Sequence, residues 1–510
     1  MDGSNAGKAR AGDDMETTRA EGRFRNPIEG VALGDPFVLR WRGQFYLYGT
    51  NDGPPLADGR VFPVYRSDDL LHWEPLGGAL EPSEPGSDHW APEVLAFGGR
   101  FWMVVSFGDV ERRGHALWVA VADRPEGPFR LRKRISGEDE RFSIDGSWLL
   151  DDDGRLYLFR CLDFVGESDP PSGTGIVVQP MRDPLTPSGP PTTVLRAHSP
   201  WQVFERNRVM PLYEGRTFAE WTTIEGPAPV KRNGRYYCGY SGGNYGRAYG
   251  TGEAVADHPL GPYRDLRGAE GPIFGTAPGL VEGPGHFSVV RPDLVHDWIV
   301  LHGRTPGEAV RRVWLCPASW GDEGVTIGAL TDRPQPAPPL ARDLSRFDGP
   351  GGSWPAGWTV IKGGDWRLDG DGLRQHDPGG EGSVWKDGIE LEDTWVVETY
   401  VRLPEPEEKS AGGIVAASHG GQLRVEFGRE GIGVTGADGC SVEKPWPNLG
   451  DERADPAAYR PIEIRARQGR AEVRADGVVI AAGVACPAGP ARLGLVAAGV
   501  VAFDAVTVAN

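Results

Sequence analysis

The stretch GDPFVLRWRGQFYLYGT, residues 34–50, sets out a pattern that the chain repeats four more times before residue 303. It contains a short apolar segment, a tight turn at a glycine and a second segment rich in aromatic residues. The other four phrases are WAPEVLAFGGRFWMVVS (90–106), IDGSWLLDDDGRLYLF (144–159), EGPAPVKRNGRYYCGYS (225–241) and the more diverged GHFSVVRPDLVHDWIVLHG (285–303). The pattern predicts five similar β-sheet units in series.

The spacing of the phrases indicates how the units assemble. The turn glycines Gly43, Gly99 and Gly154 are 56 and 55 residues apart, and Gly234 follows 80 residues later. Repeats of about 40 to 50 residues or slightly more are typical of propellers and solenoids, in which each unit buries its faces against its neighbours. Radial closure leaves only short, protected strand edges. We therefore predict an all-β fold, with a five-bladed β-propeller over residues 23–335.

Three of the phrases carry an acidic residue near their start. Asp35, Asp145 and Glu225 each stand eight or nine residues before the turn glycine of their phrase. Taken singly, each has a structural explanation, as a turn residue, an Asx-turn or a surface acid. If the strand before each turn is the innermost of its blade, the three carboxylates converge at one mouth of the central channel. The acids of the turn at 151–153 are predicted to be solvated.

The rest of the chain divides by composition. With 510 residues, 74 Gly and 45 Pro, the protein is too long for one hydrophobic core and rich in turns. Residues 1–22 are polar without periodicity and are predicted to be a disordered tail. Residues 336–343 end a proline-rich stretch that suits a linker. Short apolar and alternating strands over 344–510 predict a jelly-roll-like β-sandwich.

Charge and cysteine usage exclude several classes of partner. The formal net charge of −18 argues against nucleic acid or an anionic membrane surface as a partner. The five cysteines are scattered without CxxC spacing, which predicts neither a disulfide framework nor a zinc site. The start of the sequence has no apolar signal segment, so we expect a cytoplasmic protein. The sequence does not indicate an oligomeric state.

Seven motifs taken together resemble glycoside hydrolase family 43, in order over residues 25 to 330. They are NPI with GDPFVLRWRGQFYLYGT, YRSDDLLHWEPLGGAL, HWAPEV, GPFR, SIDGSWLLDDDGRLYL, TIEGPAPVKRNGRYYCGYSGG and GPGHFSVV. The resemblance implies a five-bladed propeller of inverting glycosidases that act mainly on arabinose- and xylose-containing plant polysaccharides. It also implies that Asp35 is the general base, Asp145 the pKa modulator and Glu225 the general acid.

The chemistry of inversion accounts for such a set. One carboxylate deprotonates a water on one face of the sugar, while a protonated carboxyl donates its proton to the leaving oxygen. A third carboxylate near the acid disfavours a second negative charge, so the pKa of the acid rises and the acid stays protonated near neutral pH. Acids on different blades can face each other across a channel, as this reaction requires.

Three further residues are candidates for binding. By resemblance, His286 lies beneath the sugar site, where it can bind a water or, through water, a calcium ion in the channel. Arg311 resembles an arginine that contacts substrate, although Arg304 and Arg312 are close to it in sequence. Trp90 is equally well explained as a sugar-stacking platform and as blade-core packing. The resemblance requires no cofactor.

The predicted function is that of an exo-acting α-L-arabinofuranosidase or β-xylosidase, which releases a terminal pentose from plant-type oligosaccharides. The alternatives are an endo-arabinanase or exo-galactanase of the same family, and a non-catalytic sugar-binding propeller. The aromatic-rich segment 196–221 could wall the leaving-group side of the pocket or pack on a blade. The C-terminal part resembles concanavalin-like and laminin-G-like sandwiches, and most of its tryptophans are expected in its core.

Overall fold

A computed structural model of the chain describes residues 22–82, 87–109, 114–168, 171–246, 248–267, 270–348, 354–404, 410–450, 455 and 457–509. Apart from Gly22, the predicted disordered tail lies outside these residues. Strands dominate the described part, where helix is confined to two single 3₁₀ turns, Pro200–Gln202 and Pro211–Tyr213. In the same residues no helix is long and apolar enough to cross a membrane. The all-β prediction is therefore confirmed.

Five separate sheets cover residues 34–327, and we number them one to five in chain order; their strands pair antiparallel except for one parallel pairing in sheet three. A short strand β1 (Arg23–Phe24) precedes them. Their strands are β2 (Gly34–Trp41), β3 (Gln44–Thr50), β4 (Val61–Ser67) and β5 (Glu74–Leu80) in sheet one; β6 (Ser87–Phe97), β7 (Arg100–Asp109), β8 (Gly114–Ala122) and β9 (Arg130–Arg134) in sheet two; β10 (Ser143–Leu150), β11 (Leu156–Ser168), β12 (Pro171–Asp183), β13 (Thr186–Pro187), β14 (Thr192–Arg196), β15 (Val203–Met210) and β16 (Arg216–Thr222) in sheet three; β17 (Ile224–Arg232), β18 (Arg235–Gly242), β19 (Gly250–Ala256), β20 (Arg264–Asp265) and β21 (Phe274–Gly275) in sheet four; and β22 (Glu282–Val290), β23 (Asp297–Arg304), β24 (Arg312–Gly321) and β25 (Gly324–Ile327) in sheet five.

The sheets take up a propeller arrangement. The first strands β2, β6, β10, β17 and β22 contact one another in that order, and β22 contacts β2 again. A further short strand, β26 (Gln335–Pro336), pairs antiparallel with β1 and so ties the start of the described chain to the segment that follows sheet five. Each quoted phrase supplies the first two strands of one sheet, so that the starts of five phrases meet around a common axis.

Each first strand carries a β-bulge near its start. The pairing between the first and second strands is interrupted there in all five sheets. One residue at each bulge has a left-handed backbone conformation: Asp35, Ala91, Asp145, Gly226 and His286. Four of these residues are not glycine, and such strained positions cluster at functional sites. A bulge turns a side chain out of the alternation of the strand, and here it turns side chains toward the axis.

The C-terminal part forms two further sheets, numbered six and seven. The strands of sheet six pair in the order β29-β30-β41-β32-β37-β38-β39, with β27 on β41, and those of sheet seven in the order β28-β31-β40-β33-β34-β35-β36, where the strands are β27 (Asp343–Ser345), β28 (Trp358–Lys362), β29 (Trp366–Leu368), β30 (Leu373–Gln375), β31 (Glu381–Lys386), β32 (Thr394–Arg402), β33 (Ala411–Ser418), β34 (Gly421–Gly428), β35 (Gly431–Thr435), β36 (Ser441–Pro445), β37 (Arg460–Arg467), β38 (Arg470–Ala475), β39 (Val478–Ala485), β40 (Arg492–Ala498) and β41 (Val501–Ala509). One hydrophobic core draws on both sheets, and Trp358, Trp366 and Trp395 are buried in it.

The C-terminal sheets pack directly on the propeller arrangement. Trp41 of sheet one lies edge-on to Phe101 of sheet two and to Tyr400 of sheet six, with ring centroids 4.9 Å and 4.7 Å away. A single buried cluster contains residues of all three sheets. The Arg40–Glu398 ion pair also crosses this boundary. Since buried hydrophobic side chains and an ion pair cross the boundary, the two parts are expected to be rigidly coupled.

The prediction that the acids at 151–153 are solvated is wrong for two of them. Asp153 is exposed, but Asp151 is buried and accepts a hydrogen bond of 2.6 Å from the Tyr236 hydroxyl. Asp152 accepts a hydrogen bond of 2.7 Å from Arg474 of the C-terminal part. The run looked like a surface turn because its burial comes from a neighbouring sheet and from a segment more than 300 residues away.

Candidate active site

The predicted site residues meet in one cavity. Its volume is about 580 Å³, and Asp35, Trp90, Asp145, Glu225, His286 and Arg311 all line it. Each of the five sheets contributes at least one of these side chains, from the start of its first strand or, for Arg311, from the residue before β24. The convergence of the carboxylates that the phrases predicted is thus present in the structure.

The bulges set the direction of each acid. Asp35 and Asp145 are themselves the left-handed residues of their bulges, whereas Glu225 precedes the left-handed Gly226 of sheet four. The three acids lie at nearly the same distance in sequence from their turn glycines, but they occupy two different bulge positions. A Cβ on Gly226 would lie 3.0 Å from the His286 ring, so glycine also lets that imidazole pack close to the acid.

Neighbouring sheets hold the bulges in place through hydrogen bonds. The backbone N–H of each left-handed residue donates to a side chain of the preceding sheet. For sheet one, the preceding sheet around the ring is sheet five. The five bonds run from Ala91 to Thr50 (2.9 Å), from Asp145 to Ser106 (3.0 Å), from Gly226 to Asp145 (3.0 Å), from His286 to Ser241 (2.7 Å) and from Asp35 to His302 (3.0 Å). This closed ring of bonds fixes the backbone from which the carboxylates project.

Asp35 is held in its ionised form. Its burial alone would raise the pKa, but the Arg311 guanidinium, at 2.8 Å, and His286, at 3.3 Å, hold the pKa of Asp35 well below its usual range. The Thr50 hydroxyl also donates to it at 2.6 Å. Charge-assisted hydrogen bonds of this kind stabilise the carboxylate over the acid. Asp35 is therefore available to accept a proton.

Asp145 and Glu225 are held in the opposite state. Burial and the neighbouring carboxylates raise the pKa of Asp145 well above its usual value, while its carboxylate accepts the Gly226 N–H. Burial raises the pKa of Glu225 to about 7, although a 2.8 Å hydrogen bond from the Tyr249 hydroxyl opposes the shift. The two groups interact, so that at neutral pH this side of the cavity retains a proton. An acid and a base thus face the same cavity.

Of the three arginines Arg304, Arg311 and Arg312, Arg311 is the one that lines the cavity. Its guanidinium makes two hydrogen bonds to Asp52, of 2.8 Å and 2.7 Å, and a third to Asp35. The group lies against the backbone of Gly34, where a Cβ would come within 1.8 Å of the guanidinium carbon. The glycine that opens the first phrase is thus needed for close approach.

His286 lies between two of the carboxylates. Its Nδ1 is 3.3 Å from Asp35 and 3.9 Å from Asp145, and burial lowers its pKa. Among the described residues, no three His, Cys, Asp or Glu side chains are grouped so that they could hold a metal ion. The side chains therefore do not form a direct calcium site, and we derive no step through such an ion. A calcium held through water remains a prediction.

Trp90 packs in the interior and also faces the cavity, so its role as a sugar-stacking platform stays a prediction. Its indole stacks on the His115 ring, with centroids 3.8 Å apart, and packs against the core between sheets three and four. It is also only partly buried and lines the cavity. Part of the indole therefore packs in the protein interior, and the remaining part faces the cavity.

The segment 196–221 forms a wall of the cavity. The strands β15 and β16 pair as a hairpin on the outer side of sheet three, and we call this hairpin, residues 203–222, the hairpin wall. It contributes to the lining Phe204, Arg208, Val209, Met210, Pro211, Leu212 and Trp221. The structure shows both roles considered for this segment, because Trp201 also stacks on Tyr240 of sheet four, with ring centroids 6.1 Å apart.

Sequence reasoning missed Thr50, Asp52, Tyr249 and His302. Thr50, Ser106, Ser241 and His302 occupy the same ladder position, opposite the residue before the bulge. These four residues recur at the end of the second strand of their phrases, so aligning the phrases with one another could have revealed them. Tyr249 lies outside the repeated phrase, and no pattern in the sequence marked it.

Comparisons with known proteins agree with this geometry. The family model described as "Glycosyl hydrolases family 43" matches residues 24–326. The β-D-galactofuranosidase xynD of Aspergillus niger is 26% identical over 329 residues, which cover 58% of this chain and 81% of that protein. A xylosidase/arabinosidase of Bacteroides ovatus is 25% identical over 331 residues, which cover 59% of this chain and 95% of that protein.

A solved structure is also similar to this chain. The crystal structure of a thermostable family-43 glycoside hydrolase is 29% identical, with a TM-score of 0.53, and the match covers 62% of this chain and 99% of that one. The family model covers the part that carries the propeller arrangement and the cavity. This chain therefore belongs to glycoside hydrolase family 43, and it is a glycosidase.

Proposed function

We propose that this protein is an inverting, exo-acting glycosidase that releases a terminal α-L-arabinofuranose or β-D-xylose from oligosaccharides. Asp35 is the general base, Glu225 the general acid and Asp145 the group that tunes the acid. The observation that carries the proposal is the opposite protonation of Asp35 and Glu225 in one cavity. A protein that only binds sugar would not need this arrangement.

The reaction follows from these states. The Asp35 carboxylate accepts a proton from a water molecule, whose oxygen attacks the anomeric carbon of the sugar. Glu225 donates its proton to the glycosidic oxygen as the bond to the anomeric carbon breaks. Asp35 ends protonated and Glu225 ionised, and exchange with solvent restores both. Asp145 and Glu225 repel each other when both are ionised, so the pair keeps a proton before the reaction, and Asp145 accepts the Gly226 N–H beside the acid.

Exo action is supported by the hairpin wall. This wall rises from sheet three beside the strand that begins with Ile224 and carries Glu225, and it narrows the cavity on that side. A walled pocket accommodates a chain end, whereas an internal cut requires an open groove. The names of the relatives, which include xylosidase/arabinosidase, support a pentose as the terminal sugar.

We also propose that the five sheets of residues 34–327 correspond to five blades. The supporting observation is the ring of contacts between the five first strands. Sheets six and seven, which share one core, are proposed to form an accessory β-sandwich. Its contact with sheets one and two supports a stabilising role.

A β-D-galactofuranosidase is the second candidate. The relative of that name in Aspergillus niger matches this chain over 81% of its own length. Galactofuranose and arabinofuranose share a five-membered ring, so the same acid and base could act on both. An endo-arabinanase is less well supported because of the hairpin wall, and a non-catalytic propeller would have no use for a protonated Glu225.

One experiment tests the proposal. Aryl α-L-arabinofuranosides, β-D-xylosides and β-D-galactofuranosides are offered to the protein, and NMR records the first-formed anomer of the released sugar. We expect one of the first two to be hydrolysed with inversion. Asp35→Ala and Glu225→Ala should abolish turnover, while the exposed Asp153→Ala should not. Retention of configuration would refute the mechanism, and full activity in either cavity variant would refute the assignment.

A further inference from the structure

One cationic side chain in the cavity is not used by the proposed chemistry. Arg208, on β15 of the hairpin wall, lines the cavity, and its guanidinium carbon lies 4.1 Å from the centroid of the Phe204 ring. It is partly buried, and burial lowers its pKa. The guanidinium contacts the Phe204 ring, and no described residue forms a hydrogen bond or an ion pair with this guanidinium.

The other guanidinium in the cavity is fully engaged. Arg311 donates to Asp52 and Asp35 and so is matched by two carboxylates. Arg206, two residues before Arg208, is exposed and donates to Glu220 across the hairpin at 3.0 Å. A partly desolvated cation without an anionic partner is costly, and the planar guanidinium suits a carboxylate that can accept two of its hydrogen bonds.

Glu225, the acid of the cavity that interacts with Arg208, does not supply that partner. Arg208 and Glu225 interact electrostatically, and each affects the pKa of the other. Glu225, however, is protonated when it serves as the general acid, so it carries no charge to balance the guanidinium. The general acid also faces the leaving group of a glycoside. Arg208 is therefore placed on the leaving-group side, where Glu205 also interacts with it electrostatically but no described carboxylate forms an ion pair with its guanidinium.

We propose that Arg208 binds a carboxylate carried by the leaving group. The preferred substrates are then oligosaccharides in which the sugar next to the released residue is a uronic acid. This inference rests on the proposed function of the cavity, since it takes Glu225 as the acid and so defines the leaving-group side. A neutral sugar that merely donates and accepts hydrogen bonds is the alternative that the test must exclude.

The test uses two leaving groups that differ in charge but little in shape. They are the 4-carboxyphenyl and 4-(methoxycarbonyl)phenyl glycosides of whichever sugar the protein hydrolyses best. The quantity measured is the ratio of kcat/KM for the acid to that for the ester, compared between variants so that the intrinsic difference in leaving ability cancels. We expect this ratio to fall about tenfold or more in Arg208→Met, as the loss of a charge-assisted contact implies, and to stay unchanged in Arg206→Met.

The outcomes separate this inference from the proposed function. An unchanged ratio in Arg208→Met, or an equal loss on both glycosides, would overturn the role of Arg208. Hydrolysis of neither glycoside, or hydrolysis that persists in Glu225→Ala, would instead count against the proposed function. Calorimetric binding of D-glucuronate and D-glucose requires no turnover and provides a second measurement. Arg208 should make glucuronate bind about tenfold more tightly or better, and equal affinities would contradict the inference.

Discussion

Tyr249→Phe should move the alkaline limb of the pH–rate profile upward. The Tyr249 hydroxyl donates a 2.8 Å hydrogen bond to Glu225 and thereby favours the ionised form of that acid. The ring itself stacks on His302, at 5.9 Å and an angle of 5°, and fills the space beside Gly285. Phenylalanine keeps these contacts and removes only the hydroxyl, so the change isolates one hydrogen bond.

The size of the shift follows from the strength of that bond. A hydrogen bond to a charged group contributes about 1.5–3 kcal/mol, and about 1.4 kcal/mol corresponds to one pH unit. The bond now opposes burial, which raises the pKa of Glu225 to about 7. Without it the pKa should rise by about 1 to 2 units. The acid then stays protonated further into the alkaline range.

The assay is the pH dependence of kcat/KM, because its limbs report the essential acid and base of the free enzyme. In wild type the alkaline limb should lie near pH 7, at the pKa of about 7 for Glu225, and in Tyr249→Phe about 1 to 2 units higher. The acid limb, set by Asp35, should not move. Tyr245→Phe is the control, since Tyr245 lines the same cavity at 52% exposure. An alkaline limb that stays in place, or moves to lower pH, would refute this account of Glu225.

Three other changes test the surroundings of the site. Gly34→Ala places a methyl group where the Arg311 guanidinium lies, so kcat/KM should fall about tenfold or more, while Gly321→Ala, with open space at its Cβ, should be silent. Burial raises the pKa of Glu93 to about 8, so the folded state keeps a proton that the unfolded state loses above about pH 4.5, and stability falls as pH rises between these values. In Glu93→Gln the loss of Tm between pH 6 and 9 should be smaller. Trp41→Ala should reduce the free energy of unfolding by about 3–5 kcal/mol in denaturant titrations, because it empties the boundary between the two parts of the protein.

Each of these expectations can fail in a recognisable way. Equal activity of the two alanine variants would mean that the guanidinium does not need its present position. An equal loss of Tm with pH in wild type and Glu93→Gln would place the titration elsewhere. A Trp41→Ala variant as stable as wild type would show that the C-terminal sheets do not depend on this contact.

Much of the site was predictable because the propeller arrangement is periodic. Asp35, Asp145 and Glu225 stood out only because the phrases around them repeat, and repeated strands with short connections pack in equivalent ways. The turn at 151–153 was mispredicted because its surroundings do not follow from the repeat. A run of three acids looks solvated by composition, and only the structure shows that Asp151 is buried beside Tyr236 and that Asp152 pairs with Arg474.

The sequence by itself determined the all-β class, the propeller arrangement and which three acids meet in the cavity. These follow from local periodicity, since alternation of apolar residues and turn glycines act over a few residues at a time. It also determined the family, because the motifs lie in order along the chain.

The tertiary structure alone decided how the acids differ from one another. Asp35 is ionised because Arg311, 276 residues away, donates to it, and Glu225 retains its proton because the same fold buries it beside other carboxylates. Protonation depends on burial and on charges within a few ångströms, and neither quantity is written in the spacing of a repeat. The same holds for Arg208. Its guanidinium lines the cavity without an ion-pair partner among the described residues, and this depends on how the hairpin wall folds against the cavity.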